Sequence, residues 1–128
     1  MIVDSSVLIA ELRGQDSGSV RAFRAAVVQQ RVLLGDLILL EVLQGARDER
    51  HANLLKSQLG QFPTVEMLNR NVAFETARNF RVLRGHGVTV RKTIDLIIAT
   101  YCILHGHALL HQDRDFTPMT KHLGLRLV

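Results

Sequence analysis

The chain has 128 residues, of which 47% are hydrophobic and 5% aromatic, and its formal net charge at pH 7 is +4. This length allows one domain, 1–128, with a core of aliphatic side chains, and the few aromatic rings argue against nucleic-acid binding that depends mainly on base stacking. No apolar run is long enough to span a bilayer, the N-terminus has no signal-peptide pattern, and Cys102 is the single cysteine. We therefore expect a cytoplasmic protein without a membrane segment or an internal disulfide.

The first residues combine a short apolar strand with an acidic side chain. Ile2 and Val3 are β-branched and lead directly into Asp4 and two serines. This pattern predicts a strand that ends at Asp4 and a helix over about 5–13. Asp4 could simply cap this helix, or it could lie where parallel α/β sheets bind ligands, at the carboxyl end of a strand.

Helical and extended segments alternate along the rest of the chain. Apolar residues at helical spacing, with Ser, Asp, Asn or Thr at the start, predict helices over 17–28, 36–44, 48–59, 69–85 and 93–105. Asp36 is the expected cap of the helix over 36–44, and either Asn69 or Asn71 caps the helix that follows the strand over 64–67. Short β-branched or leucine-rich runs predict strands over 32–34, 64–67 and 107–111, and a last helical turn near 119–122 precedes 125–127. This alternation predicts an α/β fold, a three-layer α/β/α sandwich with a mainly parallel central sheet.

Acidic residues recur at positions that such a sheet brings together. Asp113 follows the last predicted strand as Asp4 follows the first, and Asp95 lies in the first turn of a helix that Thr93 is expected to cap. Helix-dipole stabilisation would also explain Asp95, and Asp113 and Asp115 flank an arginine with which they could pair. Glu41 shares a helix face with Leu37 and Gln44, so its spacing leaves open whether it joins the acids or faces water.

Four or five carboxylates in one crevice would repel one another unless a cation lay among them. Oxygen ligands without a neighbouring thiolate select Mg²⁺ or Mn²⁺. Such a site can position a phosphodiester and lower the pKa of a bound water molecule. The acids therefore indicate hydrolytic phosphoryl chemistry.

Four segments, 2–7, 39–45, 92–99 and 110–116, together resemble the PIN-domain ribonucleases, and most closely the VapC toxins of bacterial toxin–antitoxin pairs. The resemblance covers the chain from end to end. It implies a catalytic metal site with Mg²⁺ or Mn²⁺, and supporting hydroxyl groups beside it. The acids would be Asp4, Glu41, Asp95 and Asp113, with Asp115 as a fifth, and the hydroxyl groups those of Ser6 and Thr93.

The resemblance also implies a substrate and partners. We expect cleavage of structured RNA such as tRNA or rRNA, a homodimer, and inhibition by a VapB-like antitoxin in a higher toxin–antitoxin assembly. Arg91 and Lys92 precede Asp95 and are our candidates for contacts with the RNA backbone. The arginines at 78, 81 and 84 could equally form a solvated helix face.

The sequence also bears on three other interpretations. A zinc site at His105, His107 and His111 lacks a nearby cysteine or a His-Glu-x-x-His pattern. A phosphate-accepting signalling domain would need paired acids after the first strand, where Asp4 stands alone. The main alternative is a PIN-like module that binds RNA or protein without cleaving, and the presence of all four main acids favours the enzyme.

Overall fold

The computed structural model describes all residues from Met1 to Val128 and consists mainly of helices around short strands. The helices are α1 (Ser5–Leu12), α2 (Gly18–Val28), α3 (Asp36–Gln44), α4 (Glu49–Leu59), α5 (Arg70–Gly85), α6 (Thr93–His105) and α7 (Thr117–Leu123). The strands are β1 (Ile2–Val3), β2 (Leu34–Gly35), β3 (Thr64–Val65) and β4 (Leu109–Leu110), and a 3₁₀ turn covers Arg114–Phe116. None of the helices combines the length and the apolar character that crossing a bilayer requires.

All strand pairs are parallel. β1 pairs with β4, placing Ile2 beside Leu109, and β2 pairs with β3. A parallel bridge between Ile2 and Leu33 connects the two pairs, and a second one joins Leu109 to Leu127. The order across this small sheet is therefore β3, β2, β1, β4 and the C-terminal segment, which confirms the predicted α/β class with parallel pairing.

Local capping explains where several helices begin. Ser17, Asp48 and Asn69 each accept a hydrogen bond from the backbone N–H three residues later and are the N-caps of α2, α4 and α5. The sequence predicts Ser17 as a cap, offers Asn69 and Asn71 as alternatives, and places Asp48 at the start of its helix. At the end of α6, Gly106 adopts the left-handed conformation with φ of 69°. This conformation favours glycine because it has no side chain.

Two predicted caps were wrong. Asp36 lies inside α3, whose N-cap is Gly35, and its carboxylate accepts hydrogen bonds from the backbone N–H groups of Leu37 and Met67. The bond to Met67 joins α3 to the segment after β3, so β3 ends earlier than the strand predicted over 64–67. Thr93 is the first residue of α6 rather than its cap, and no side chain caps this helix.

Helix α6 lies at the centre of the packing. Every residue from Asp95 to Cys102 is buried, and the core around the helix includes Ile2, Val3 and Leu110 from the sheet. Because α6 is buried from its first turn onward, the side chain of Asp95 lies inside the protein and not on its surface.

We expect Gly35→Ala to destabilise the protein by about 1–3 kcal/mol, since a Cβ at this position would overlap the fully buried side chain of Met67. Urea denaturation would measure the loss. Gly18→Ala is the control, because a Cβ there meets open space. Equal stability of the two variants would contradict the prediction.

Candidate metal centre

Asp4 both caps a helix and lies at the carboxyl end of a strand, the two alternatives that the sequence left open. It follows β1, where its backbone N–H donates to the carbonyl of Leu110, and it is the N-cap of α1. Its Oδ2 accepts hydrogen bonds from the backbone N–H of Ser6 at 3.1 Å and from the Ser6 hydroxyl at 2.6 Å. Its Oδ1 is buried and has no hydrogen-bond partner. Capping therefore uses one oxygen and leaves the other available to a ligand.

Asp95 presents a second unpartnered oxygen. The residue is 3% exposed, and its Oδ2 is buried without a hydrogen-bond partner. Its place in the first turn of α6 favours a negative charge, because the N–H groups of a helix start carry partial positive charge. A buried carboxylate oxygen without a donor nevertheless indicates that a cation or a proton belongs beside it.

Glu41 completes a group of three acids. Helix α3 turns this half-buried side chain toward Asp4, and Glu41 Oε1 accepts a hydrogen bond from the Ser5 hydroxyl at 3.2 Å. One oxygen each from Asp4, Glu41 and Asp95 lie within 4.8 Å of one another. We call these three residues the inner acid cluster.

Asp95 also belongs to a second group, the outer acid cluster, with Asp113 and Asp115. One oxygen from each of these three acids again lies within 4.8 Å of the other two. Asp113 follows β4 and caps the 3₁₀ turn, because its Oδ1 accepts a hydrogen bond from the backbone N–H of Asp115 at 2.9 Å. The Lys92 ammonium donates to Asp113 Oδ2 at 3.2 Å and lies 3.9 Å from Asp115 Oδ2.

Burial and mutual repulsion make it unfavourable for all three acids of the inner acid cluster to be ionised at once. Burial raises the pKa of Asp95 to about 7, and the charge of Asp4 acts in the same direction. Burial also raises the pKa of Asp4, although the hydrogen bonds from Ser6 act in the opposite direction. Burial and the negative charge of Asp4 both raise the pKa of Glu41. A divalent cation among these oxygens would offset the repulsion and occupy the unpartnered positions.

The outer acid cluster differs because a cation already lies in it. Burial by itself would raise the pKa of Asp113, but the N–H of Asp115 and the ammonium of Lys92 outweigh it and hold that pKa below its usual range. The same contact with Asp113 raises the pKa of Lys92. The ionised form of Asp113 is therefore stabilised by its ion pair, whereas burial destabilises the ionised forms of the inner acids.

The five acids offer oxygen ligands alone. Neither the cysteine nor a histidine joins either cluster, and Cys102 is buried elsewhere in the core. This donor set fits Mg²⁺ or Mn²⁺ better than a soft metal ion.

The sequence model of the PIN domain matches residues 1–121. The chain belongs to the PIN domain family. This match covers nearly the whole chain and confirms the family that its four acidic segments resemble.

Solved structures support the same fold. VapBC2 from Rickettsia felis, bound to a DNA fragment from its promoter, has a TM-score of 0.78 at 13% identity, covering 99% of this chain and 96% of that one. DNA-bound VapBC from Salmonella typhimurium has a TM-score of 0.74 at 16% identity, covering 99% and 95%. A toxin–antitoxin complex from Klebsiella pneumoniae has a TM-score of 0.67 at 19% identity, covering 90% and 88%. At these identities the likeness establishes the PIN-domain fold alone.

The two hydroxyl groups expected to support the site lie in different surroundings. The Ser6 hydroxyl donates to Asp4 and accepts a hydrogen bond from the backbone N–H of Gln112 at 3.0 Å, so it joins the end of β1 to the loop after β4. Thr93 is exposed and lines a groove between α5 and α6, without a hydrogen bond to the acids. Ser5 is the residue that contacts Glu41, and no local pattern in the sequence distinguishes it from Ser6 as a contact for an acid 36 residues away.

Arg91 and Lys92 line a cleft of about 260 Å³ in this PIN domain, together with Asp95 and Asp115. Arg114 lies on the same cleft, although its position between Asp113 and Asp115 in the sequence indicated only a partner for these acids. The arginines of α5 are elsewhere: Arg78 approaches a glutamate one turn before it, Arg81 lines the groove between α5 and α6, and Arg84 lies over a phenylalanine ring.

The histidines considered for zinc do not form a metal-ligand cluster. His105 and His107 both pack against the ring of Tyr101. His111 instead lies beside the loop after β4, with Nδ1 2.8 Å from the backbone carbonyl of Asp113. These contacts give each histidine a role in local packing.

We expect the EDTA-treated PIN domain to lose stability as the pH rises from about 4 to 7. Asp95 has an ordinary pKa of 3.8 that folding raises to about 7, so in this window the unfolded chain releases a proton that the folded chain retains. The contribution of Asp95 to the free energy of unfolding should fall by at most about 4 kcal/mol, and the raised pKa values of Asp4 and Glu41 act in the same direction. Urea denaturation at a series of pH values would measure it.

The variant Asp95→Asn should reduce this pH dependence, because the amide does not titrate, and leave the smaller part that Asp4 and Glu41 contribute. Asp16→Asn, which changes an exposed acid, serves as the control. If Asp95→Asn kept the wild-type slope, the assignment of the pH dependence to Asp95 would be wrong.

Proposed function

We propose that residues 1–128 form a single PIN-like domain that acts as a metal-dependent endoribonuclease. It would be a VapC-like toxin that hydrolyses phosphodiester bonds in structured RNA such as tRNA or rRNA, in the cytoplasm. The observation that carries this proposal is the pair of buried, unpartnered oxygens of Asp4 and Asp95 within a cluster of acids. Purely structural carboxylates in a protein interior are normally hydrogen-bonded or paired.

The proposed ligands are the oxygens of Asp4, Glu41 and Asp95, with Asp113 and Asp115 on the open side of the site. A bound Mg²⁺ or Mn²⁺ would polarise the scissile phosphate and lower the pKa of a water molecule for attack on phosphorus. The inner and outer acid clusters together contain five acids, whose negative charge would help to retain a divalent ion beside an anionic substrate.

The chain's own residues would orient this site. The Ser6 hydroxyl holds one oxygen of Asp4, and the Ser5 hydroxyl holds one oxygen of Glu41. These bonds limit the rotation of both carboxylates, which keeps their remaining oxygens directed at one point. Arg91 and Arg114 would bind the phosphates that flank the scissile bond, because both line the cleft beside Asp95. Lys92 lines the same cleft, but its ammonium group is paired with Asp113 and Asp115.

A VapB-like antitoxin is the proposed partner. The PIN domain has a groove of about 530 Å³ that is lined by Glu41 and by apolar residues of α1 and α4. Leu12 and Leu54 on this groove are 44% and 56% exposed. An antitoxin segment with apolar side chains could bury both leucines and end at the acids. The similar structures from three bacteria, described as VapBC or toxin–antitoxin complexes, support this choice of partner.

We also propose a homodimer within a higher toxin–antitoxin assembly. Leu68, Phe74 and Phe80 are each at least 40% exposed, on α5 or just before it. The groove between α5 and α6 lies beside them and is lined mainly by apolar residues. A second copy of the chain would remove this apolar area from water.

We expect purified, antitoxin-free protein to cut tRNA or rRNA into discrete fragments with Mg²⁺ or Mn²⁺ and to be inactive in EDTA. Asp4→Asn should lower the cleavage rate by roughly 100-fold or more, since it removes a charged ligand from the centre of the site. Gel analysis of RNA fragments measures the rate, and Asp16→Asn is the control for a surface acid.

RNA that is bound but never cut with any divalent ion would contradict the nuclease proposal. The chain would then be a PIN-like module that binds RNA or protein, which is the alternative that the sequence left open. Circular dichroism of Asp4→Asn would show that a lost activity does not reflect unfolding.

We expect Arg91→Ala to weaken RNA binding by about 3- to 10-fold and to reduce its salt dependence by about one phosphate contact. Fluorescence anisotropy with a labelled RNA would measure both, in the Asp4→Asn background so that the RNA stays intact. Arg78→Ala is the matched control, because this arginine lies on α5 away from the cleft. Equal losses in the two variants would show that the cleft has no special part in RNA binding.

A further inference from the structure

The Lys92 side chain reaches the outer acid cluster from the start of helix α6. It is the N-cap residue of α6 and therefore lies three residues before Asp95, the acid that both clusters share. Its Nζ lies 3.2 Å from Asp113 Oδ2 and 3.9 Å from Asp115 Oδ2. The helix start that places Asp95 in the site thus also places an ammonium group between the other two acids.

The two clusters differ in how their charges are satisfied. In the inner acid cluster, Asp4 and Asp95 each keep a buried oxygen without any partner. In the outer acid cluster, both Asp113 and Asp115 face the ammonium of Lys92, and their side chains are 24% and 37% exposed. The inner acid cluster needs a cation from solution, whereas the outer one has a cation supplied by the chain.

We propose that Lys92 is the resident cation of the outer acid cluster, so that the PIN domain binds one divalent ion tightly, at Asp4, Glu41 and Asp95. This inference rests on the proposed metal dependence and specifies how many ions the site takes. Shared acidic ligands such as Asp95 would otherwise allow two divalent ions side by side, as in two-metal phosphoryl-transfer sites.

The charge balance supports one ion and one ammonium group. The acids of the two clusters carry five negative charges when all are ionised. A divalent ion and Lys92 together reduce this to two negative charges. A second divalent ion at Asp113 and Asp115 would have to displace the ammonium group or bind close to it, and either event opposes binding.

The test is Mn²⁺ binding to the purified chain by isothermal titration calorimetry and electron paramagnetic resonance. We expect one tightly bound ion and the spectrum of an isolated Mn²⁺ in the wild type. Lys92→Gln should strengthen binding of a second ion by about tenfold, the worth of an exposed ion pair and of the relieved repulsion. The two ions would share Asp95, so the spectrum should then show spin coupling.

Three further variants separate this effect from a general loss of positive charge. Arg91→Gln removes a neighbouring charge that contacts no acid, so it should keep one tightly bound ion. Lys92→Arg keeps the charge at the same place and should behave like the wild type. Adding Asp115→Asn to Lys92→Gln should remove the second ion. Circular dichroism checks that each variant folds. We expect the Lys92 variants to fold, because the Lys92 side chain is 58% exposed.

The outcomes distinguish this inference from the proposed function. One ion in both the wild type and Lys92→Gln, or two tightly bound ions in the wild type, would overturn the role of Lys92 and leave the metal-dependent nuclease standing. If the wild type bound no Mn²⁺ at all, the proposed metal dependence would fail and the inference with it.

Discussion

The burial of carboxylates at one edge of a small parallel sheet is the constraint on which the rest of this structure depends. Asp4 and Asp95 are each 3% exposed and each keeps an oxygen without a hydrogen-bond donor. Such groups oppose folding unless a proton or a cation accompanies them. Under the metal-dependent function that we propose, a bound cation would offset this cost, and the stability of the chain would depend on the concentration of that cation.

The scaffold brings the acids together by two simple devices. Parallel strands β1 and β4 end at the same edge of the sheet, so Asp4 and Asp113 leave the sheet close to each other. The buried helix α6 then directs Asp95 between them from its first turn. Hydrogen bonds from the Ser5 and Ser6 hydroxyl groups restrain Glu41 and Asp4 from the side of α1. The result is an unequal site, with an inner part that lacks a cation and an outer part that has Lys92.

Membership of the PIN domain family and the geometry of the acids contribute different parts of the functional argument. Structures that share 13–19% of their residues with this chain have the same fold, which by itself leaves chemistry open. The argument for a metal-dependent nuclease therefore rests on this chain's own acids. Its basic cleft and its apolar groove next to Glu41 are separate surfaces, which we propose for the RNA and for the antitoxin segment respectively.

Local signals in the sequence determined much of the fold. The caps Ser17, Asp48 and Asn69 bond within one helical turn, and the alternation of strands and helices gave the parallel sheet and the strand-end positions of Asp4 and Asp113. Only the tertiary structure decided that Glu41 faces Asp4 and that Thr93 faces away. It also decided that Asp36 bonds to the backbone of Met67, 31 residues later, and Lys92 to Asp113, 21 residues later. Helical spacing specifies which residues share a face, but packing between distant segments sets what that face meets.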